Sequence, residues 1–289
     1  MEKISSGKVR EIYNIDDDKL MLVTSDRISA FDNIMPSLID DKGIILTQIS
    51  LFWFDYIDDI IKNHIITSEF EKFPIEFRKE EFKQRSMLVK KLKMLPIECI
   101  VRGYITGSGF SEYQKSGTIC GQILSPSLRE SEKLEEPIFT PSTKAELGDH
   151  DELISFDKCV QILGYDLAHE VRKVSIEIYK KCASYAYELG IIIADTKFEF
   201  GLDENNNLVI ADEILTPDSS RFWPVSDYEV GKVQKSFDKQ YLRDWLSNNG
   251  YRTSPPESLP EDIINTTRDK YIEAYEKITN KPFVKQKKR

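Results

Sequence analysis

Charged side chains alternate along an apolar segment at residues 191–201, IIIADTKFEFG. Asp195, Lys197 and Glu199 are two residues apart, so on a strand they would share one face. A turn at 203–207 then leads into a second apolar run, which would bring Asp212 close to the position opposite Glu199. Two carboxylates in an apolar sheet are costly unless a cation neutralises them, and oxygen ligands suit magnesium. The pattern predicts a magnesium site, with an ion-paired surface hairpin, in which Lys197 offsets its neighbours, as the alternative.

Two loops combine an arginine with small residues. The segment RGYITGSGF begins with Arg102 and continues with glycines and hydroxyl side chains, including Ser108. The segment TPDSSR at residues 216–221 ends in Arg221. Hydroxyls, accessible backbone N–H groups and a guanidinium are groups that bind anions. Each segment therefore predicts an anion site, while an ordinary turn-rich loop explains each one equally well.

A third basic segment opens the first predicted strand at Gly7, Lys8 and Arg10. Backbone amides of a glycine turn beside a lysine can hold phosphate oxygens. The chain contains neither GxxxxGK[ST] nor GxGxxG, so P-loop and Rossmann fingerprints are excluded. Solvated basic residues at a strand entry are the alternative.

Histidines and paired cations offer weaker signals. His150 lies between acids in GDHD and is a candidate to act on a substrate, although such loop histidines are often only solvated. His64 and His169 fall at predicted helices and are interpreted as structural. Lys239 and Arg243 are spaced i and i+4, which would place two cations on one helix face.

Several elements would position these residues. Residues 7–25 read as a hairpin with a DDDK turn, and helical spacing of apolar residues covers 47–63, with Thr47 as a candidate N-cap. The run at 86–105 reads as two strands interrupted around Met94 to Pro96, because proline cannot complete a ladder.

The second half is predicted to be richer in helix. Residues 106–151 are rich in Gly, Ser, Thr and Pro with little periodicity, which is typical of a functional loop. Helical spacing resumes at 160–189, and two further helices are predicted at about 236–247 and 261–278. The order of elements predicts an α+β fold, with a small β-rich lobe at 1–93 and a larger α+β lobe at 94–289.

Composition limits the class of protein. The chain has 289 residues and a formal net charge of −9, which argues against a general nucleic-acid binder. No apolar run is long enough to cross a bilayer and no signal-peptide core is recognisable, so we expect a cytoplasmic protein. Four cysteines without CxxC spacing are interpreted as buried thiols rather than a zinc site or disulfides.

Seven segments together resemble one enzyme family. MLPIECIVRGYITGS at 94–108 and IADTKFEFG at 193–201 are similar to the signature segments of phosphoribosylaminoimidazole-succinocarboxamide synthase, or SAICAR synthetase. The other five, which occur in the same order as in the family, are GKVREIY, SDRISAFD, FTPSTKAELGDHD, DEILTPDSSRFW and DKQYLRDWL. The insert carrying PSTKAE resembles the longer form of the enzyme that is found in yeast.

The resemblance implies a fold and a reaction. The family has a small antiparallel β lobe over a larger α+β lobe, with ATP in the cleft between them in a kinase-like arrangement. Its members are ligases of purine biosynthesis that join L-aspartate to 5-amino-1-(5-phosphoribosyl)imidazole-4-carboxylate (CAIR), as ATP becomes ADP and phosphate. The implied cofactor is Mg²⁺, and similarity to the long form suggests a monomer.

The resemblance also implies roles for individual residues. It makes Lys197, Glu199 and Asp212 catalytic residues. The implied contacts are to ATP from Gly7, Lys8, Arg10, Lys93 and Met94; to magnesium from Glu199 and Asp212; to the imidazole nucleotide from Arg102, Ser108, Asp195, Lys197, Arg221 and Arg243; and to aspartate or the product from Ser142, Thr143, Lys144 and His150.

The implied chemistry explains these residue types. A carboxylate is a poor acyl donor and must first become an acyl phosphate, so positive charge has to offset its repulsion from the γ-phosphate of ATP. A kinase-like phosphotransferase is the main alternative, but it usually carries an HRD segment, which is absent here. A non-catalytic nucleotide-binding module is the other alternative, and it would not need two metal carboxylates.

Overall fold

The structure, a computed structural model, describes residues 2–31, 33–144, 152–237 and 239–284. Strands and helices of those residues form an α+β fold, as predicted. The strands are β1 (Glu2–Ser6), β2 (Arg10–Asn14), β3 (Lys19–Thr24), β4 (Arg27–Ala30), β5 (Asn33–Leu38), β6 (Ile65–Thr67), β7 (Ser86–Lys90), β8 (Lys93–Met94), β9 (Ile97–Tyr104), β10 (Thr118–Ile119), β11 (Gln122–Ile123), β12 (Lys133–Phe139), β13 (Ser142–Thr143), β14 (Ile191–Leu202), β15 (Leu208–Ala211) and β16 (Ser220–Pro224). The helices are α1 (Lys42–Tyr56), α2 (Gly107–Ser116), α3 (Phe156–Leu163), α4 (Tyr165–Glu188), α5 (Gln240–Asn248) and α6 (Glu261–Thr279).

The first sheet has the strand order β1-β2-β3-β7-β6. Its β2–β3 hairpin confirms the prediction for residues 7–25. The turn forms because the Asp16 carboxylate accepts hydrogen bonds from the Asp18 amide at 3.0 Å and the Lys19 ammonium at 2.9 Å. This local side-chain chemistry is what fixes the hairpin.

The helix predicted at 47–63 begins and ends earlier than expected. In the structure α1 spans Lys42–Tyr56, and Thr47 donates to the Gly43 carbonyl inside the helix instead of capping it. The true start is hidden because the residue before it, Asp41, has a left-handed backbone (φ 64°) and makes no side-chain cap bond. A side chain at Gly43 would lie 2.3 Å from the Thr24 carbonyl oxygen, so contact with β3 requires glycine there.

The second sheet has the order β12-β9-β14-β15, with β8, β13 and β16 paired to its central strands. The break predicted around Met94 to Pro96 is confirmed, since β7, β8 and β9 are separate strands. The hairpin predicted at 191–215 is also confirmed, with β14 and β15 antiparallel. The long strand β14 carries three of the predicted site residues, Asp195, Lys197 and Glu199, and Asp212 follows directly after β15.

The C-terminal helices differ in detail from the prediction. The single helix expected at 160–189 is two, α3 and α4, because Gly164 adopts φ 85° between them. Helix α5 begins at Gln240 rather than at Ser236, and α6 matches the prediction to within a residue. One hydrophobic core joins α1, α3, α4, α5 and α6 to the second sheet.

The stretch at 106–151 contains more regular structure than expected. It holds α2 and the strands β10 to β13, and residues 145–151 lie outside the described part. Short polar elements without apolar periodicity gave no sequence signal. Across the residues that are described, no helix is both long and apolar enough to cross a membrane, and the four cysteines are buried and free.

Candidate active site

The β14–β15 hairpin brings two carboxylates together, as its alternating charges predict. Glu199 is in register with Ala211, and Asp212 follows directly with a left-handed backbone of φ 63°. Each carboxylate has a cationic partner. Lys144 Nζ donates to Glu199 at 2.5 Å, and the guanidinium of Arg10, on the first sheet, contacts Asp212. The two sheets therefore meet at this pair of acids.

The two carboxylates differ electrostatically. Burial and the neighbouring charge of Asp212 raise the pKa of Glu199. Burial would also raise the pKa of Asp212, but Arg10 and Lys197 outweigh it and lower that pKa. Burial would lower the pKa of Arg10, yet Asp212 and Glu213 together raise it. Glu199 is thus the acid whose charge depends most on a compensating cation.

The pair fits a magnesium ion that shares its coordination with phosphate and water. Among the described residues no group of three or more acidic, His or Cys side chains could hold a metal, so protein ligands would be few. Mg²⁺ is commonly held by one or two carboxylates plus substrate phosphates. The repulsion between Asp212 and Glu199 is what a divalent cation would relieve. Their side chains expose 31% and 17% of their surface, so both are accessible.

Lys197 contacts an acid that the sequence interpretation missed. Its Nζ contacts Glu98 on β9, and Ser142 Oγ donates to the same carboxylate at 3.2 Å. Burial would lower the pKa of Lys197, but Glu98 and Glu199 raise it to about 12. In the alternative interpretation Lys197 offsets Asp195 and Glu199 of its own strand; in the structure it contacts Glu98 directly and interacts with Glu199 through charge. Glu98 could have been found from the sequence, since an acid inside the apolar run IECIV needs a cation.

Asp195 joins the two predicted anion loops. Its carboxylate accepts from the Arg102 guanidinium at 2.9 Å and contacts Arg221 on β16. Arg102 is only 2% exposed and donates to Thr140 Oγ1 at 3.0 Å and to Ser108 Oγ at 3.4 Å. Arg102 is therefore a buried support of the loop, while Arg221, with a side chain 30% exposed, faces outward.

A cavity of about 720 Å³ lies beside this pair. Ser108, Arg221 and Arg243 line it, which brings together three predicted nucleotide residues. Phe31 and Arg252 also line it and were not predicted, and the Arg252 guanidinium lies 5.3 Å from the centre of the Phe31 ring. A smaller recess of about 100 Å³ shares Arg221 and Arg243 with the cavity. The lining suits a bulky anion.

A buried charge cluster holds the loop at 216–221. Asp218 accepts from Lys42 at 2.8 Å and from the Tyr271 hydroxyl at 2.6 Å, and it pairs with Lys239 at 2.9 Å. Burial opposes ionisation, but the two lysines hold the pKa of Asp218 well below its usual value. Lys239 turns inward while Arg243 lines the cavity, so the two cations predicted on one face have different surroundings.

The residues expected to contact ATP lie at the first sheet and at its connection to the second. The Gly7 amide donates to the Arg10 carbonyl at 2.8 Å and closes the turn between β1 and β2, where Lys8 is exposed. Lys93 and Met94 form β8, exposed and paired with the end of β14. The structure thus places these residues near the meeting of the two sheets.

The four residues assigned to aspartate or the product are only partly described. Ser142 and Thr143 form β13, Ser142 is buried, and Lys144 reaches Glu199. His150 lies outside the described residues.

The two remaining histidines differ from each other. His169 lies in α4, as predicted, but His64 lies in a bend between α1 and β6, so the helix expected at this position is wrong. His64 is 3% exposed, and burial, together with the Arg10 charge, lowers its pKa to about 4. It is therefore neutral at neutral pH.

Comparison with known proteins gives one consistent result. The SAICAR synthetase family matches residues 3–258. The phosphoribosylaminoimidazole-succinocarboxamide synthase of Maridesulfovibrio salexigens is 58% identical over 282 residues, covering 96% of this chain and 94% of that protein. The enzyme of the same name from Lachnospira eligens is 56% identical, with 98% and 96% covered.

Solved structures agree with the sequence relatives. The SAICAR synthase of Saccharomyces cerevisiae complexed with SAICAR superposes with a TM-score of 0.91 at 46% identity, covering 97% of this chain and 95% of that chain. A SAICAR synthetase (Type-2) in complex with ADP superposes with a TM-score of 0.72 at 26% identity, with 97% and 99% covered. These matches span nearly the whole chain.

Proposed function

The chain belongs to the SAICAR synthetase family, and we propose that the site described above joins L-aspartate to CAIR with the consumption of ATP. It is a ligase of purine biosynthesis, and its products are SAICAR, ADP and phosphate. The observation that carries the site assignment is the position of Asp195 and Glu199 on one strand. The four residue steps from Asp195 to Glu199 span about 13 Å. One nucleotide with a phosphate at one end and a carboxylate at the other can therefore reach both the arginines beside Asp195 and the carboxylate pair at Glu199.

ATP is proposed to lie where the two sheets meet. Gly7 and Lys8 would face its phosphates from the β1–β2 turn, with Arg10 behind them. Lys93 and Met94 would lie beside adenine, and the exposure of Met94 (40%) leaves apolar surface for a base. The ADP complex of a family relative supports a nucleotide site in this fold.

Magnesium is proposed to be held by Glu199 and Asp212. When bound, it would neutralise polyphosphate charge and polarise the γ-phosphate. Lys144 contacts Glu199 and Arg10 contacts Asp212 in the structure. When magnesium binds the two acids, these cations would pair with the phosphates of ATP instead.

The imidazole nucleotide is proposed to occupy the 720 Å³ cavity and its recess. Arg221, Arg243 and Ser108 would hold its phosphate through charge-assisted hydrogen bonds. Asp195 would position the ribose while keeping Arg221 in place, and Arg102 would support the loop from below.

The reaction is proposed to proceed in two steps. A carboxylate oxygen of CAIR attacks the γ-phosphorus and the bond to ADP breaks, which gives an acyl phosphate. The amine of aspartate then attacks the acyl carbon, phosphate leaves, and the amine loses its proton. Lys197 and Lys144 lie beside Glu199, where they would offset the negative charge of the reacting groups. Orienting the amine can contribute on the order of 7 to 11 kcal/mol.

Aspartate is proposed to enter near the end of β13. Ser142, Thr143, Lys144 and His150 stay the candidates for binding aspartate or the product. Lys144 has the clearest support because its ammonium already lies at the carboxylate pair.

Oxygen-18 in the carboxylate of CAIR tests this route. One labelled oxygen should leave in inorganic phosphate for each amide formed. Unlabelled phosphate after complete turnover would exclude attack of the carboxylate on ATP. Sustained ADP release without CAIR, in the presence of a hydroxyl acceptor, would favour the phosphotransferase alternative. The lobe boundary at residue 93, a monomeric state and a cytoplasmic location stay predictions.

A further inference from the structure

The long strand β14 switches the face of its side chains part-way along. Near its start, Ile191 and Ile193 lie in the hydrophobic core. Further along, Phe198 and Phe200 lie in the same core, so the core-facing positions change from odd to even numbers. On an uninterrupted strand every second side chain keeps the same face. Asp195 would then point into the core together with the two isoleucines.

A β-bulge causes this switch. In the pairing of β14 with β16, Ile193 is opposite Phe222. The next pair is Asp195 with Arg221, so Ala194 is an extra residue on β14. One extra residue turns every later side chain to the opposite face of the sheet. The bulge therefore places Asp195 on the side where it contacts Arg221.

A buried tyrosine of α4 is bonded to the main chain at this bulge. The Tyr179 hydroxyl donates to the Ile193 carbonyl at 2.6 Å, and the residue is buried. Burial raises the pKa of Tyr179, so the hydroxyl keeps its proton. The ladder between β14 and β9 runs from Asp195 to Phe198, and Ile193 lies beyond its end. The helix thus fixes the strand directly before the extra residue.

The neighbouring strand β9 leaves room for this hydroxyl. A side chain at Gly103, the residue after Arg102, would lie 2.0 Å from Tyr179 Oη. Gly103 does not have the left-handed backbone that favours glycine. The position of the tyrosine hydroxyl is therefore what excludes a side chain there, and the close approach is a second sign that this contact is built into the sheet.

We propose that Tyr179 is a positioning residue whose hydroxyl holds the bulge at Ala194 and so keeps Asp195 against Arg221 at the nucleotide cavity. The inference rests on the imidazole-nucleotide site given under the proposed function. Without the hydroxyl, the main chain before the bulge loses a hydrogen bond. The Asp195–Arg221 pair is then held less firmly in the position that a bound phosphate needs.

The experiment compares two tyrosines of the same helix. Tyr179→Phe removes the hydroxyl and keeps the ring, and we expect calorimetric titration to show SAICAR bound roughly 3- to 10-fold more weakly, with ADP affinity unchanged. Tyr185 also donates to a backbone carbonyl, that of Ile278 in α6, at 3.2 Å. Tyr185→Phe is therefore the matched control, and it should lower the free energy of unfolding while keeping the parental affinity for SAICAR.

Two further variants test the route of the effect. In an Arg221→Ala background, Tyr179→Phe should weaken SAICAR binding by only about twofold or less, because the contact that the bulge positions is already gone. Gly103→Ala crowds the hydroxyl from β9 and should weaken binding of SAICAR but not of ADP, which provides the test where Tyr179→Phe does not fold.

The outcomes separate the inference from the site on which it rests. Parental SAICAR affinity in folded Tyr179→Phe or Gly103→Ala, an equal loss for SAICAR and ADP, or the same loss with and without Arg221 would show that Tyr179 only packs the core. A parent protein that does not bind SAICAR would instead overturn the nucleotide site itself, and the inference with it.

Discussion

Replacing Arg243 by alanine should weaken binding of the imidazole nucleotide and leave the fold intact. Arg243 is half-buried on α5 and lines the 720 Å³ cavity, and no carboxylate among the described residues pairs with it. Its guanidinium is thus available to a ligand. Arg102, in contrast, is 2% exposed and holds Asp195, Thr140 and Ser108.

The structure sets the expected size of each effect. A hydrogen bond to a charged group is worth about 1.5–3 kcal/mol, and about 1.4 kcal/mol corresponds to a factor of ten. Arg243→Ala should therefore weaken SAICAR binding by roughly 10- to 150-fold. Arg102→Ala should weaken binding and also lower the free energy of unfolding. Loss of one partner of a buried ion pair costs about 3–5 kcal/mol, and we expect less because Asp195 keeps Arg221.

Calorimetric titration with SAICAR and with ADP, alongside urea unfolding, measures these effects. The ADP affinity of both variants should match that of the parent, since the two arginines lie at the nucleotide cavity and not at the carboxylate pair. Parental SAICAR affinity in Arg243→Ala, or an equal loss for ADP, would refute the assignment of the cavity.

Three further predictions test other parts of the structure. Glu199→Gln and Asp212→Asn should each lower kcat severely at ordinary magnesium, because each removes a charge that would face the metal; near-parental turnover in a folded variant would contradict this role. Gly107→Ala should raise KM for CAIR but not for ATP in steady-state assays. The reason is that the new Cβ would lie 2.6 Å from Arg221 Nη2, at a position where the backbone has φ 57°. An unchanged KM for CAIR would argue against contact between Arg221 and the substrate. Burial raises the pKa of Cys159 to about 11, so the thiol ionises at lower pH in the unfolded chain than in the folded protein. This thiol should therefore lower the free energy of unfolding as the pH rises above about 9, by up to about 1.4 kcal/mol per pH unit. Urea unfolding from pH 8 to 10 should show a shallower fall in Cys159→Ala than in the parent.

Local signals in the sequence were sufficient for the hairpins and for the carboxylate pair. The spacing of Asp195, Lys197 and Glu199 fixes a shared face, and the turn at 203–207 fixes the return of Asp212 to within one residue of the observed register. The shared strand face and the hairpin register both depend on residues that are close in the sequence. They can therefore be predicted without knowing the tertiary fold.

Contacts between distant segments were not predictable in the same way. Lys42 and Asp218 are far apart in the chain, and nothing near either residue shows that they pair. The burial of His64 is a second example, because this residue was assigned to a helix on apolar spacing that continues past the real end of α1. Helix propensity and spacing do not report where tertiary packing ends an element.

The position of α1 has a consequence for synthesis on the ribosome. This helix belongs to the same hydrophobic core as α6, which follows about 200 residues later. At roughly 5–20 residues per second, the apolar side of α1 would wait about 10–40 s for that partner. Trp53 and Phe54 of this helix are fully buried in the finished protein, and Trp53 packs against Tyr185 of α4, which is also synthesised much later. We expect this stretch to be a principal binding site for chaperones that act during translation.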